Sequence, residues 1–319
     1  MPATPYLVRF LAAVVLTVAL APMANLYLDP FGVFGNSTGG IYKFEERAFK
    51  ARQAATYPHD VLLLGSSKTA VFDPDHLPGA RIFNGAFAAA QPQEILRFLE
   101  DYGGAARTVV IGLDPYMFNQ YFPAWRQSIF RPRGWREVMH YTFSFQVLLA
   151  GIDGTVRRWL GQPPLVQADG QWNRADWDRR QEAGGDFAPE RAAVLRRLAR
   201  ENYRNFTFAD ARVETLRRIR RLLERRGQGF RVFINPLEVC ALALFDAPRR
   251  AAELGRFRAA VREVFPEALD YSASAYSAPA NFYAFDSYHL RTSVSARLIG
   301  DVLAGRPPEP MPADLDCQI

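Results

Sequence analysis

Groups able to act as a general base near neutral pH are few in this chain, because it carries only four histidines. One of them, His289, stands in FDSYHLR with Asp286 three residues before it. Asp-x-x-His on a loop lets the carboxylate fold back on the imidazole. There it would fix the tautomer and stabilise the imidazolium formed when a hydroxyl is deprotonated. The hydroxyl is offered by HDVLLLGSSKTAVFDP (59–74), where an apolar run ends abruptly in Gly65-Ser66-Ser67. Ser67 is the candidate nucleophile and adjacent Ser66 the alternative, while Lys68 reads as a solvated helix-start residue without a role. Ser, His and Asp together are the set for nucleophilic acyl transfer. The other histidines fit worse. His59 precedes the apolar run, His76 lies in the surface turn DPDHL, and His140, in WREVMHYTFSF, reads equally well as a packed helix residue.

The elements that must position these residues alternate between strand and helix patterns. DVLLLG (60–65) is a continuous apolar run, as expected of a strand buried on both faces. RIFNG (81–85), RTVVIGLD (107–114), FRVFINP (230–236) and ALDYS (268–272) read as further strands. Helical spacing predicts helices over 91–103, 135–151, 189–203, 209–226, 247–264 and 292–304. The alternation predicts an α/β fold with a central, mainly parallel sheet and helices on both faces. Ligands of such sheets bind beyond the C-terminal strand ends. Gly65-Ser66-Ser67, Gly112-Leu113-Asp114 and Asn235-Pro236 all stand there. Asn235 is therefore a pocket candidate, although Asn-Pro is also a common turn pair. Residues 115–187 break the rhythm, and with the two helices that follow they read as a helical insert at about 115–228. Its loop QADGQWNRADWDRRQEAGGDF holds Trp172 and Trp177, which fit either a sugar-stacking platform or a hydrophobic lid and anchor.

Residues 10–28, FLAAVVLTVALAPMANLYL, carry no charge. At about 1.5 Å per residue they span roughly 28 Å, close to the hydrocarbon thickness of a bilayer. Arg9 precedes the run and the next basic residue is Lys43, which predicts a cytoplasmic N-terminus and a body outside. A cleaved signal peptide is the rival reading, but Pro22 sits badly at both candidate cleavage sites. The expected organisation is an anchor at 1–28, a polar connector at 29–56, an α/β domain at 57–305 and a tail at 306–319. The net charge of +6 rests on arginines at helical spacing, which read as solvated helix faces rather than a nucleic-acid surface. Two cysteines, Cys240 and Cys317, form no Cys/His cluster, so neither a metal nor another cofactor is expected. One disulfide is possible but does not follow from the spacing.

Gly-x-Ser at the end of the first strand, with Asp-x-x-His before the last helix, resembles the SGNH (GDSL-like) hydrolase family. NLYLDPFGVF, LLLGSSKTAVFDP, FNGAFAAAQPQEI, VVIGLDPYMFN and DSYHLRTSVSARL occur in that order. Together they look like a group of membrane-anchored bacterial SGNH proteins, related to those of alginate O-acetylation and teichoic-acid D-alanylation. The resemblance implies a flavodoxin-like three-layer α/β sandwich with Ser67, His289 and Asp286 as a triad. It implies an extracytoplasmic acyltransferase or esterase working on an envelope or exported polysaccharide, commonly beside a membrane-bound acyltransferase. A backbone N–H in FNGAFAAAQPQE would donate to the oxyanion, with Ala89 as the counterpart of the family's glycine and Gly85 as the alternative. A residue other than glycine serves there if its φ stays negative. The family's third block normally ends in an Asn that donates to the oxyanion, and here Asp114 holds that place. An ionised Asp cannot donate, so Asp114 is protonated, binds something else, or leaves the task to another donor. The alternative function is a non-catalytic SGNH-like protein that binds glycan or scaffolds an envelope complex. The motifs lie within 25–120 and 279–300, and none is assigned between 121 and 278.

Overall fold

The computed structural model describes residues 4–37, 39–43, 45–77, 79–122 and 134–317. The chain begins with α1 (Thr4–Leu28), β1 (Gly40–Ile41), α2 (Glu46–Thr56), β2 (Val61–Leu64), α3 (Ser67–Ala70), β3 (Ile82–Asn84), α4 (Pro92–Tyr102) and β4 (Thr108–Leu113). Next come α5 (Trp135–Thr142), α6 (Phe145–Trp159), β5 (Val166–Gln167), α7 (Ala175–Ala183), α8 (Ala188–Arg197) and α9 (Ala211–Arg225). The last are β6 (Gly229–Ile234), α10 (Val239–Ala243), α11 (Pro248–Val264), β7 (Leu269–Asp270) and α12 (Thr292–Ala304). They fall into two compact units. One joins Met1–Gln53 to Ile129–Ala168, and the other joins Ala54–Ser128 to Asp169–Ile319.

The larger unit is a mixed α/β structure built on a five-stranded sheet of order β3-β2-β4-β6-β7, parallel throughout. The apolar runs explain its burial. Leu63, Val110 and Phe233 point to one face and join the core formed with Val294, Leu298, Ile299 and Val302 of α12. Leu62, Leu64, Val109, Ile111, Val232 and Ile234 alternate to the other face and are equally buried. Strands covered on both sides need no polar alternation. Helices α4, α9 and α11 pack side by side in this unit.

The insert expected at 115–228 is not one body. Residues 169–228 belong to the α/β unit, and the residues from 129 to 168 belong with the N-terminal segment. Residues 123–133 lie outside the described residues. The single helix expected over 135–151 is two helices. The first ends at Thr142 and Ser144 caps the second, its Oγ accepting from the Val147 N–H at 3.3 Å. His140 lies exposed on α5. The connector expected at 29–56 is folded too. The Asp29 carboxylate accepts from the N–H groups of Val33, Phe34, Gly35 and Asn36 at 2.8–3.1 Å and from the Tyr141 hydroxyl at 2.9 Å. Burial, then the Asp29 charge, push the Tyr141 phenol far above its ordinary pKa.

The C-terminal tail is likewise tied down. The Tyr271 hydroxyl donates to the Arg306 carbonyl at 2.7 Å, Ala275 N–H donates to the Glu309 carbonyl at 3.0 Å, and a disulfide links Cys317 to Cys240. The bridge closes a separation of 77 residues. Removing so long a loop closure from the unfolded chain stabilises a fold by about 2–4 kcal/mol. Reduction, or Cys240→Ser, is therefore expected to lower the unfolding free energy in urea by about that amount and to open residues 306–317 to proteolysis.

Candidate active site

The C-terminal end of β2 sets the position of Ser67. Gly65 turns the chain with φ +149°, and a Cβ there would lie 2.8 Å from the Gly112 carbonyl of neighbouring β4. That backbone suits glycine alone. Ser66 follows in extended conformation, fully buried, its Oγ accepting from the Lys68 N–H at 3.1 Å as the cap of α3. The two serines are thereby separated in role: Ser66 is spent as a cap, while Ser67, at the first helical position, is half-exposed. Asn84, at the end of β3, holds the far end of α3. Its Nδ2 donates to the carbonyls of Thr69, Ala70 and Phe72 at 2.9–3.2 Å.

His289 reaches Ser67 from the loop before α12. Its Nε2 lies 3.0 Å from Ser67 Oγ and its Nδ1 lies 2.6 Å from Asp286 Oδ2. The same carboxylate oxygen accepts the His289 backbone N–H at 2.8 Å. A carboxylate facing Nδ1 assigns the proton to that nitrogen and leaves Nε2 free to accept from the Ser67 hydroxyl. The loop is closed by Tyr283 N–H to His289 carbonyl and by Asp286 and Ser287 N–H to Tyr283 carbonyl. Ser287 takes a left-handed φ of +49°, and Arg191 Nε donates to its Oγ at 2.9 Å. Burial alone would raise the Asp286 pKa. The His289 charge and the N–H bonds of His289 outweigh it and hold the carboxyl below its ordinary value.

Behind Ser67 lies a buried ion pair. Lys68 is 4% exposed, so it is not the solvated residue its sequence position suggested. Its Nζ donates to the Pro236 carbonyl at 2.9 Å, stands 3.5 Å from Asp114 Oδ1 and sits 4.6 Å over the Tyr288 ring. Asp114 is fully buried, and Asn235 Nδ2 donates to its other oxygen at 3.1 Å. Desolvation lowers the Lys68 pKa, and the Asp114 and Asp286 charges oppose that. Burial and then the Asp114 charge raise the phenols of Tyr116, Tyr203 and Tyr288. Asp114 is thus the counter-ion of Lys68, and Asn235 is its buried hydrogen-bond donor rather than a lining of an open pocket. Gly112 is needed here because a Cβ would run into Thr69 Oγ1 and would lie 2.9 Å from the Phe233 ring and 3.0 Å from Asn235 Nδ2.

Ala89 departs from expectation in its backbone. Its φ is +51°, not negative, so a Cβ occupies a conformation that glycine adopts without strain. The N–H groups of Ser67 and Ala89 find no acceptor among the described residues, which leaves two backbone donors for a developing oxyanion. Three aromatic rings crowd His289: Tyr288 at 4.9 Å, Trp177 at 5.7 Å and Trp172 at 6.5 Å between centroids. Arg174 lies between the two tryptophans, 4.6 Å from one ring and 4.0 Å from the other. Asp178 of α7 accepts from the Tyr283 hydroxyl at 2.7 Å, fastening α7 to the histidine loop. The tryptophans act as anchors of that loop, with Trp172 itself 5% exposed. Arg174 carried no sequence signal beyond its place between them. His59 stands at the opposite end of β2, its Nδ1 2.7 Å from the Tyr57 carbonyl.

No family model matches this chain, and no curated protein matches it.

Breaking a buried pair costs about 3–5 kcal/mol, because the remaining charge has no partner. Asp114→Asn is expected to lose about that much in urea unfolding, and far less in a Lys68→Met background, since the orphaned charge is then gone. Ala89→Gly relieves the left-handed Cβ at glycine's entropic cost, for a net gain of about 0.5–1 kcal/mol in the same assay.

Proposed function

We propose that this protein is a membrane-anchored serine acyltransferase or esterase of SGNH type, working outside the cytoplasmic membrane. One observation carries the reading: Ser67 Oγ, His289 and Asp286 form a continuous hydrogen-bonded chain with links of 3.0 and 2.6 Å. In this reading His289 Nε2 takes the Ser67 proton as Oγ attacks an ester carbonyl. Asp286 holds the imidazolium, and the Ser67 and Ala89 N–H groups receive the oxyanion. His289 then returns the proton to the leaving oxygen, which leaves an acyl-Ser67. A hydroxyl of an envelope or exported polysaccharide, or water, enters by the same steps reversed. The strand order β3-β2-β4-β6-β7, with α12 on one face, fits a flavodoxin-like three-layer sandwich whose strand C-termini carry the site.

Two features support the compartment. Pro5–Leu28 is long and apolar enough to cross a membrane, and the Cys240–Cys317 disulfide suits an oxidising space. A membrane-bound acyltransferase that supplies the acyl group is the partner this placement favours. Asp114 favours a second reading. It faces Lys68 and Asn235 instead of offering a third oxyanion donor, whose loss typically costs about 100- to 1000-fold in rate. On that reading the chain binds glycan or scaffolds a complex without turning over.

A fluorophosphonate probe, read by mass spectrometry on the full chain, separates the two. One adduct at Ser67 is expected, absent in Ser67→Ala and formed about 100- to 10,000-fold more slowly in His289→Ala. No adduct, or an adduct that survives Ser67→Ala, removes the enzyme reading in favour of the scaffold.

A further inference from the structure

The smaller unit carries a surface that the acyl-transfer reading does not use. Helix α6 is built inside out for a water-soluble protein. Its small residues face inward. Gly151 lies against Leu28 of α1, where a Cβ would meet Leu28 Cδ1 at 2.8 Å, and Gly154 lies against Tyr42. Five of its large apolar residues face outward, with Val147 buried: Phe145, Leu149, Ile152, Val156 and Trp159 are 47–84% exposed. Their spacing of four, three, four and three residues makes one continuous stripe along the helix. Trp135, Met139 and Phe143 extend it along α5, each four residues from the last and each exposed.

The position of this stripe on α1 argues for its occupant. Asn25, in the last turn of α1, donates through Nδ2 to the carbonyls of Thr142 and Ser144 at 2.8 and 2.9 Å. The corner between α5 and α6 is therefore fastened to the end of the helix that is apolar enough to cross a membrane. A spanning helix ends where hydrocarbon gives way to headgroups. An apolar face starting at that level continues the apolar surface of α1 itself, whose residues Phe10, Leu11, Leu16 and Met23 are also more than half exposed. Tryptophans mark the two ends of the stripe; Arg136 stacks on the Trp135 ring, and Arg158 precedes Trp159 in sequence and lies over the Tyr42 ring. That is the residue chemistry of an interfacial belt.

We infer that α5 and α6 form a collar lying in the outer interface of the bilayer, with the stripe sunk about 5–10 Å into the acyl-chain boundary. The occupant of the stripe is lipid. The collar fixes the tilt and rotation of α1, because one rigid corner now meets the membrane along two axes. This inference uses only the smaller unit; it rests on the proposed reading of α1 as a membrane anchor with the body outside, and not on the chemistry at Ser67.

Bromine on lipid tails quenches only those tryptophans it touches, and α1 contains none. The full chain is reconstituted in phosphatidylcholine vesicles with or without dibrominated tails, and insertion of α1 is checked by resistance to carbonate extraction. Trp125, outside the described residues, is first replaced by Phe, and bromolipid is expected to quench this parent. Trp159→Phe in that background reduces the quenching and the further change Trp135→Phe abolishes it, while all the proteins stay inserted. Insertion without quenching, or quenching unchanged after both changes, overturns the collar. Concentration-dependent disulfide cross-linking through Ile152→Cys in the same vesicles also overturns it, naming a second copy as the occupant.

Discussion

A single buried charge organises the C-terminal end of the sheet. Lys68 follows Ser67 directly, so the ammonium must be satisfied within one residue of the hydroxyl that meets His289. It is satisfied by Asp114 at the end of β4 and by the Pro236 carbonyl beyond β6. Three neighbouring strands are thus tied at their C-terminal ends by one side chain. Successive residues on a short helix point in different directions. With Lys68 drawn down into the core, Ser67 is turned up and outward to His289. Asn235 and Tyr288 pack on the same pair. A buried ion pair is poor evidence of stability. Its use here is register: it sets which side chain of GSSKT meets the histidine.

That constraint also explains how far the sequence could be read. The strands were legible because they are continuous apolar runs, and Ser67, His289 and Asp286 were legible because each sits at a strand end or in a short local motif. The Lys68–Asp114 pair was not. A lysine beside a polar turn looks solvated, and its partner is on another strand. The left-handed φ of Ala89 leaves no mark in an alanine; the surrounding chain imposes it. Trp172 and Trp177 were visible as a choice between platform and anchor. Only their packing on His289 and α7 favours the anchor. The break between α5 and α6 turns on Ser144, a capping residue inside a helical pattern.

The same limits shaped the reading of the N-terminal half. Hydropathy identifies α1, but segments 29–56 and 135–168 looked like connector and insert because their contacts are far apart in sequence. Asp29 and Asn25 hold that unit together by hydrogen bonds to backbone and to Tyr141, groups with no periodic signature. Large apolar residues on the outside and glycines on the inside of α6 reverse the usual helix pattern.

The bond between Asn25 and the Thr142 carbonyl bridges 117 residues. In vectorial synthesis at 5–20 residues per second, roughly 6–23 s pass between the emergence of one partner and the other. During that interval β2, β3, α4 and β4, which belong to the other unit, appear first. The N-terminal unit is therefore completed only after those elements of the other unit have been made. In the order of synthesis the apolar helix α1 therefore comes early, and α5 and α6, whose corner Asn25 holds, come late.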